Sequence, residues 1–300
     1  MGAEAKSSSS RMDSGDPDPD FLIDDSELST LRARPSLNDY LRRLWSTRFF
    51  IFADARAKSF ADGRGQFLGV LWVVLNPLIQ VATYAVIFGL VLKVSRGMDN
   101  FIGFLVLGVT FFGFISSGIT VGGGLMQRSR SFLISFNLPK ACVVASMNLR
   151  SMFDHIFPAL MAVLVALLFQ IGKPPSWTII LVVPLFLLIH IFTLGIQFAV
   201  ARMTAFVPDV KSLLSVFTRM LFFLSGVFWP IERFSGHPVL MTVLKANPVY
   251  QFLAAIRKCV LDGVAPMMWQ WGYLTAWSVG LLVIGMVYFW GAEARYASVK

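Results

Sequence analysis

The chain has 300 residues, of which 56% are hydrophobic and 14% are charged, and its mean hydropathy is +0.68. Soluble domains are about a quarter charged, so this composition indicates an integral membrane protein and excludes a soluble enzyme, a disulfide scaffold and a nucleic-acid binder. The net charge is +9, although eight of the 17 acids lie in the first 30 residues. The only cysteines, Cys142 and Cys259, lack metal-ligand spacing and are predicted to be free thiols.

Residues 1–33 are predicted to be a disordered, acidic cytoplasmic tail. They hold a serine run at 7–10 and alternating Asp and Pro at 16–20, with almost nothing apolar before Phe21. Such a segment buries too little apolar surface to offset the entropy lost on ordering. No apolar core follows the first basic residues, so no secretory signal is expected.

Residues 34–66 are predicted to form an amphipathic helix in the membrane interface, followed by a linker. Ser36 is placed to cap the helix start, with Asp39 returning the hydrogen bond in a capping box. The apolar residues keep helical spacing: Leu37, Leu41, Leu44, Trp45, Phe49 and Phe52. The alternative interpretation is a helix packed within a soluble cap, for which the rest of the chain offers no second core.

Six stretches are long enough to cross a hydrocarbon core of about 30 Å, which needs roughly 20 helical residues. An all-α transmembrane domain over residues 67–300 is therefore predicted. The spans are placed near 67–92, 101–124, 147–171, 178–201, 212–230 and 272–291.

Another apolar stretch lies between the fifth and sixth spans and is broken at Asn247-Pro248. Its helical part, Val249 to Asp262 with Gly263 as its stop, is only about 21 Å long and carries Arg257 and Lys258. We therefore predict two short helices that enter the outer leaflet and return.

Charge counting orients this topology. With the N-terminus inside, cytoplasmic segments hold 17 Lys and Arg, and outer segments hold seven. The positive-inside rule then places both termini in the cytoplasm, in a multi-pass protein of the inner or plasma membrane.

Few ionisable residues fall inside the spans. Arg150 and Asp154 stand one helical turn apart beside His155, and suit either a substrate headgroup or a self-neutralised pair. Arg219 has no acid within one turn of its own helix, so it either faces a wet cavity with an anionic group or pairs with Asp154.

No sequence pattern for catalysis is present. The chain has no P-loop, so it has no phosphate cradle of its own. His155, His190 and His237 have neither metal nor triad spacing and are predicted to be structural. We predict no catalytic residue, no metal site and no cofactor in this chain.

Aromatic residues are abundant in the spans. They suit lipid-facing or helix-packing positions, but a sugar conduit would also use them, because aromatic faces stack on the apolar faces of sugar rings. The candidate conduit residues are Tyr84, Phe88, Phe104, Phe111, Phe112, Phe222, Phe228 and Trp229.

An ordered set of motifs over residues 36–291 resembles the ABC-2 type permeases that export polysaccharides and teichoic acids. A basic interfacial helix leads through Leu68-Gly69-Val70-Leu71-Trp72 to Pro77, similar to the family's L-G-x-L-W-x-x-x-x-P run. Further matches are Pro208-Asp209-Val210, Pro230-Ile231, and Asn247-Pro248 followed by Arg257 and Gly263. Pro208 stands where the family usually has Arg, and the acidic tail lies outside the pattern.

The resemblance implies a half-channel that pairs with a second copy of itself. Each copy would dock a separate ATPase subunit, which binds the ATP and magnesium, and the first, second and fifth spans would line the conduit. The short helices near 232–263 would form an outer gate. The expected docking residues on the cytoplasmic side are Arg128, Arg130, Phe132, Leu133, Lys140 and Asp209.

The cargo that the resemblance implies is a cell-envelope polysaccharide on a polyprenyl-pyrophosphate lipid. Guanidinium groups pair with phosphate in a bidentate manner, so the interfacial arginines are candidates for the pyrophosphate: Arg42, Arg43, Arg48 and Arg56. O-antigen, teichoic acid and galactan are not distinguished, although the composition favours an actinobacterial galactan. The alternatives are an ABC-2 exporter of a small lipid or drug, and a membrane transferase with Asp54, Asp62 or Asp154 as its base.

Overall fold

In a computed structural model, all described residues belong to one unit of the chain, Arg34–Lys300. The predicted acidic tail, most of the first span and Phe88 lie outside the described residues. The described residues are 36–61, 75, 79, 81–84, 86–87, 100–135, 138–170, 172, 174–230 and 236–298.

The interfacial segment forms two helices, α1 (Leu37–Ser46) and α2 (Arg48–Ala61), where one was predicted. The break falls at Thr47, whose hydroxyl donates to the Leu44 carbonyl at 2.8 Å and lies 3.0 Å from the Cys142 sulfur. The predicted cap at Ser36 is present, since its Oγ accepts from the Asp39 N–H. The Asp39 carboxylate accepts from the Ser36 hydroxyl at 2.6 Å, and not from the Ser36 backbone N–H as in the predicted capping box.

Four described helices are long and apolar enough to cross a membrane, and they match predicted spans. They are α3 (Phe101–Gly122), α6 (Ala141–Leu168), α7 (Val182–Phe206, after a 3-10 turn at Trp177–Leu181) and α11 (Met268–Trp290). Two short helices, α4 (Leu125–Arg128) and α5 (Arg130–Ser135), connect α3 to α6. A 3-10 helix, Glu293–Ser298, follows α11.

The predicted fifth span is shorter as a helix than expected. Helix α8 (Val210–Leu224) has 15 residues, or about 22 Å, and none of its side chains is buried. The chain continues past Leu224 in turns, with Gly226 at a φ of 63° that favours glycine.

Two short helices precede the last span, as predicted: α9 (Pro238–Lys245) and α10 (Pro248–Arg257). The Asn247 side chain caps α10 by accepting from the Val249 N–H at 2.9 Å. A π-helical turn, Lys258–Asp262, ends at Gly263 with a φ of 68°. Gly263 is therefore the stop that the sequence predicts.

Helices α7 and α11 pack backbone to backbone because glycines face each other. A Cβ on Gly195 would collide with the Leu281 backbone, and one on Gly285 would collide with the Gly195 carbonyl. The described apolar core has two parts: one surrounds α3, α7 and α10, and the other gathers Tyr40, Leu133, Phe289 and Tyr296 at the opposite end of α3. We call these two ends the Arg257 end and the Tyr40 end.

Candidate functional site

Aromatic rings from three parts of the chain meet beside α3 and α8. Ring centroids lie 4.9 Å apart for Phe112 and Phe222, 4.8 Å for Phe222 and Phe228, and 5.0 Å for Tyr84 and Phe228. Trp229 lies 6.0 Å from Phe228. Together with Phe223, these residues are called the aromatic cluster. It contains five of the predicted conduit residues: Tyr84, Phe112, Phe222, Phe228 and Trp229.

Two predicted conduit residues lie elsewhere. Phe111 is fully buried on another face of α3, with its ring 5.2 Å from Phe114. Neighbouring helical residues point about 100° apart, so Phe111 cannot share the direction of Phe112. Phe104 lies under Arg257, whose guanidinium carbon is 3.4 Å from the ring centroid.

Arg257 holds the turn that carries Phe228 and Trp229. Its three nitrogens donate to the carbonyls of Phe104 at 3.1 Å, Gly226 at 2.8 Å and Val227 at 2.9 Å. The residue is only 6% exposed. A buried guanidinium is tolerable here because carbonyl oxygens replace water around it. Arg257 therefore joins α10, the turn after α8 and the start of α3.

From the sequence, Arg257 is counted only among the charges of the outer segments, and this role is missed. Gly108 leaves room for the Arg257 side chain, because a Cβ at this position would collide with the guanidinium. A signal was present in the sequence, because Ile256, Cys259 and Val260 around the arginine are apolar, and all three are buried.

Two histidines that are distant in sequence meet between α6 and α7. His155 Nδ1 lies 3.1 Å from His190 Nε2, and His190 Nδ1 lies 2.8 Å from the Phe186 carbonyl. A carbonyl only accepts, so His190 donates from Nδ1 and accepts from His155 at Nε2. Phe114 stacks on His155 at 4.2 Å. No group suited to hold a metal ion occurs among the described residues.

Asp154 joins the interfacial helix to α6. Its carboxylate lies 3.4 Å from Arg150 Nε and accepts from the Ser59 hydroxyl at 2.5 Å. The self-neutralised pair is thus the arrangement that forms, whereas Arg219 is exposed on α8. Asp54 is likewise paired, with Lys58 at 2.7 Å, and Asp62 lies outside the described residues.

At the Tyr40 end, Glu293 binds the start of α6. Its carboxylate accepts from the Lys140 N–H at 2.8 Å and from the Tyr40 hydroxyl at 2.8 Å. The same hydroxyl accepts from the Ala141 N–H at 3.1 Å. Helix α6 thereby begins six residues before the predicted span, because its first free N–H groups find partners here.

Burial changes the acidity of this group of residues. The pKa of the Glu293 carboxyl is raised by burial, and the bonds from Lys140 and Tyr40 only partly offset that. Burial and the neighbouring Glu293 charge also raise the pKa of the Tyr40 hydroxyl. Both side chains therefore give up their protons less readily here than they would in water.

The predicted docking residues fall into two groups. Arg130 and Asp209 are exposed, and Phe132 is half-buried with its ring stacked 5.7 Å from Phe50. Leu133, also expected to dock the ATPase, is instead 5% exposed and packs in the core at the Tyr40 end.

The remaining two docking residues bond the chain's own backbone. Arg128 donates to the carbonyls of Gly123 at 2.8 Å and Val121 at 2.9 Å, at the end of α3. Lys140 Nζ donates to the Leu133 carbonyl at 3.2 Å. Both cations thus hold the loop in place, in addition to any contact with a partner.

The interfacial helices expose an apolar face and basic residues. The apolar face consists of Leu41, Trp45, Phe49 and Phe52, all more than 40% exposed. The arginines predicted to bind pyrophosphate are exposed on these helices: Arg42, Arg43, Arg48 and Arg56. The guanidinium of Arg48 lies 4.5 Å from the Phe49 ring centroid.

The four long apolar helices and the paired intramembrane charges define an integral membrane protein. The ABC-2 type transporter domain matches residues 56–261, and the chain belongs to that family. It is a multi-pass protein of the inner membrane, as predicted, and in this family ATP hydrolysis resides in a separate subunit.

Two curated relatives are similar along most of their length. The O-antigen export system permease protein RfbA of Myxococcus xanthus is 21% identical over 263 residues, covering 86% of this chain and 95% of the relative. The protein of the same name from Klebsiella pneumoniae is 23% identical over 241 residues, covering 79% of this chain and 89% of the relative.

Proposed function

We propose that this chain is the transmembrane subunit of an ATP-driven exporter of a polyprenyl-pyrophosphate-linked cell-envelope polysaccharide. Two copies would form the channel, and each would dock one ATP-binding subunit. The similarity to two O-antigen export permeases supports the class of cargo. The aromatic cluster is the observation that carries the proposal. Its rings come from three segments, and although Phe112 and Phe228 are buried, Phe223 is 45% exposed and the rings of Tyr84, Phe222 and Trp229 are only partly buried, so sugar faces could stack on them.

The proposed topology has six crossings with both termini on one side of the membrane. Ser59 bonds Asp154 midway along α6, and Asn100 bonds the Ala166 carbonyl near the end of the same helix. The contact between the two terminal segments supports the placement of the termini. Tyr40 and Glu293 are bonded, which places the two terminal segments at one end.

The fifth crossing is proposed to combine α8 with the turn that follows it. Lys211 lies beside Gly123 at the end of α3, and the Val227 carbonyl is bonded to Arg257 near the start of α3. Helix and turn together thus run the length of α3, although the helix alone is about 22 Å long.

Coupling to the ATPase is proposed to pass through the loop between α3 and α6. The Gln127 amide donates to the Thr204 carbonyl at 2.8 Å, and the Gly124 N–H donates to the Thr204 hydroxyl at 3.0 Å. The loop is therefore fastened to the end of α7, which leads directly to Asp209 and α8. A displacement of Arg130 or Phe132 by the ATPase would therefore be transmitted to α8, the helix that carries Phe222.

Copurification tests the proposal. The tagged chain is extracted gently from its native membrane, proteins near equal stoichiometry are identified, and ATP hydrolysis is measured with and without lipid-linked glycan. We expect a P-loop ATPase whose rate responds to the glycan. A chain that purifies alone and remains folded contradicts the exporter.

Variants of α8 test the conduit within that complex. Phe222→Leu keeps an apolar side chain but removes the stacking face, and it is expected to lower export without changing basal ATP hydrolysis. Phe217→Leu, on the opposite face of α8 and 53% exposed, is the matched control. Equal export by the two variants would contradict a conduit at the aromatic cluster.

The interfacial arginines are tested by joint replacement of Arg42, Arg43, Arg48 and Arg56 with Gln. Binding of polyprenyl pyrophosphate in nanodiscs is then measured, and it is expected to weaken. Unchanged binding and unchanged export would reject their role.

A further inference from the structure

Helix α8 carries a polar stripe beside its contact with α3. At about 100° per residue, Lys211, Ser215 and Arg219 fall on the same side as Phe222. The opposite side is apolar and exposed, with Leu213, Met220 and Leu224. A helix whose polar side lies toward a neighbouring helix, and not toward lipid, borders a polar space.

The register between α3 and α8 follows from one contact at each end. A Cβ built on Gly123 would lie 3.6 Å from Cγ of Lys211, and Phe112 contacts Phe222. Eleven residues separate the contacts on each helix, and the helices run antiparallel. Arg219 is therefore level with Ile115, one residue from Ser116.

The same geometry places small and hydroxyl residues of α3 on the Arg219 side of the contact. These are Gly113, Ser116 and Thr120, and with Ser215 and Arg219 they define the α3–α8 groove. A Cβ on Gly113 would have no described atom within 4 Å. Space is therefore present beside Arg219, among the residues that the structure describes.

The hydroxyl groups of the groove are oriented by their own helices. Ser116 donates to the Gly113 carbonyl at 3.0 Å, and Ser215 donates to the Lys211 carbonyl at 3.0 Å. Thr120 donates to the Ser116 carbonyl at 3.2 Å. Their oxygens remain able to accept hydrogen bonds, which suits the hydroxyl donors of a sugar.

Arg219 is the cation of this groove. It is exposed, no ion pair joins it to a described residue, and Asp154 is engaged by Arg150 and Ser59. A guanidinium at this depth needs water or an anion. We propose that the α3–α8 groove binds an oxyanion of the cargo at Arg219 on the way to the aromatic cluster. The inference rests on the proposed export function.

The oxyanion has two possible sources that share one chemistry. It is either the pyrophosphate of the lipid carrier or an acidic group of the polymer itself. Guanidinium binds phosphate and carboxylate in the same bidentate manner, so geometry alone does not separate them.

Thiol chemistry at Ser116→Cys tests the groove in the intact complex in nanodiscs. Both native cysteines are buried, which keeps the background low. We expect the anionic reagent sulfonatoethyl methanethiosulfonate to react faster than its cationic trimethylammonium analogue, relative to their rates with a free thiol. Arg219→Gln should lower that ratio roughly fivefold, as expected for one nearby unit charge in a wet site, and Arg219→Lys should preserve it.

Met220→Cys on the apolar side is the matched position and should remain unreactive. An unreactive Ser116→Cys, or a ratio indifferent to Arg219→Gln, overturns the oxyanion site. Neither result contradicts the proposed export function, which is tested separately by copurification of an ATPase and by the response of its ATP hydrolysis to glycan.

Protection of Ser116→Cys identifies the source of the anion. Inorganic pyrophosphate and oligogalacturonate are compared with neutral dextran oligosaccharide. Protection by pyrophosphate alone assigns the groove to the lipid carrier, and protection by oligogalacturonate alone assigns it to an acidic polymer. Protection by none of the three, or by dextran equally and without dependence on Arg219, overturns the proposal.

Discussion

At each end of the molecule, an ionisable side chain forms hydrogen bonds with backbone groups, but the two side chains have opposite charges. At the Arg257 end, one guanidinium donates to three carbonyls, two of which belong to the turn after α8. At the Tyr40 end, one carboxylate accepts from a phenol and from the first N–H of the α6 terminus. Each charge thus supplies the partner that a chain end lacks. The difference is that the cation fastens the turn beside the aromatic cluster, whereas the anion fastens the end of the loop between α3 and α6.

Removing the Arg257 guanidinium is expected to have the largest effect on stability. Arg257→Met would leave the carbonyls of Phe104, Gly226 and Val227 buried without a donor, and should lower the free energy of unfolding by about 4 kcal/mol. The measurement is SDS-induced unfolding of the purified chain in mild detergent.

Lys258→Met is the matched control for Arg257→Met. It removes a neighbouring cation that is only half-buried, so its effect should be small. Similar losses for both variants would mean that net charge, and not the three carbonyl bonds, sets the stability of this end.

Crowding the Arg257 guanidinium should lower the free energy of unfolding less than removing it. Gly108→Ala places a Cβ against the Arg257 guanidinium and 3.0 Å from the Val227 carbonyl, and is expected to lower stability by about 2 kcal/mol. Gly113→Ala on the same helix meets no described atom within 4 Å and should instead raise stability by about 0.5–1 kcal/mol. Unfolding of the two variants side by side checks the prediction. Equal effects would show that helix propensity, and not crowding of Arg257, is being measured.

Weakening the Tyr40 end is expected to have a smaller effect. Tyr40→Phe leaves the Ala141 N–H without its acceptor and takes one donor from Glu293, which should cost about 1–2 kcal/mol. The same unfolding assay measures it, with Tyr288→Phe at an exposed position as the control. A loss as large as that of Arg257→Met would reverse the ranking of the two ends.

Local sequence patterns predicted the elements of the fold well. Apolar length predicted four spans that the structure contains. Asn247-Pro248 predicted the start of α10, and Gly263 predicted the end of the π-helical turn that follows it. These features act through neighbouring residues, so the sequence carries them directly. The fifth span was overestimated because the apolar pattern continues into a turn, where Gly226 ends the helix geometry but not the hydrophobicity.

Long-range partners were the part that the sequence could not provide. Arg257, Glu293 and the pair His155–His190 acquire their roles from residues dozens of positions away. A charge next to an apolar stretch is equally compatible with a surface and with a buried carbonyl cage. The aromatic cluster was predicted only in part for the same reason. Composition selected both Phe111 and Phe112, and only their positions on different faces of α3 separate them.

The smallest expected effect is a pH dependence at the Tyr40 end. The pKa of Glu293 is raised above its ordinary value of 4.5, so the folded chain holds that proton more tightly than the unfolded chain. The stabilisation is therefore complete below about pH 4.5 and is lost as pH rises through the raised pKa. Glu293→Gln cannot ionise, so its stability should be flatter across that window, with a total change below that of Tyr40→Phe. Unfolding at pH 4, 5.5 and 7 measures both slopes, and Asp209→Asn removes an exposed carboxylate as the charge-matched control. If wild type and Glu293→Gln keep parallel slopes, the Glu293 carboxylate does not govern the pH dependence of stability at the Tyr40 end.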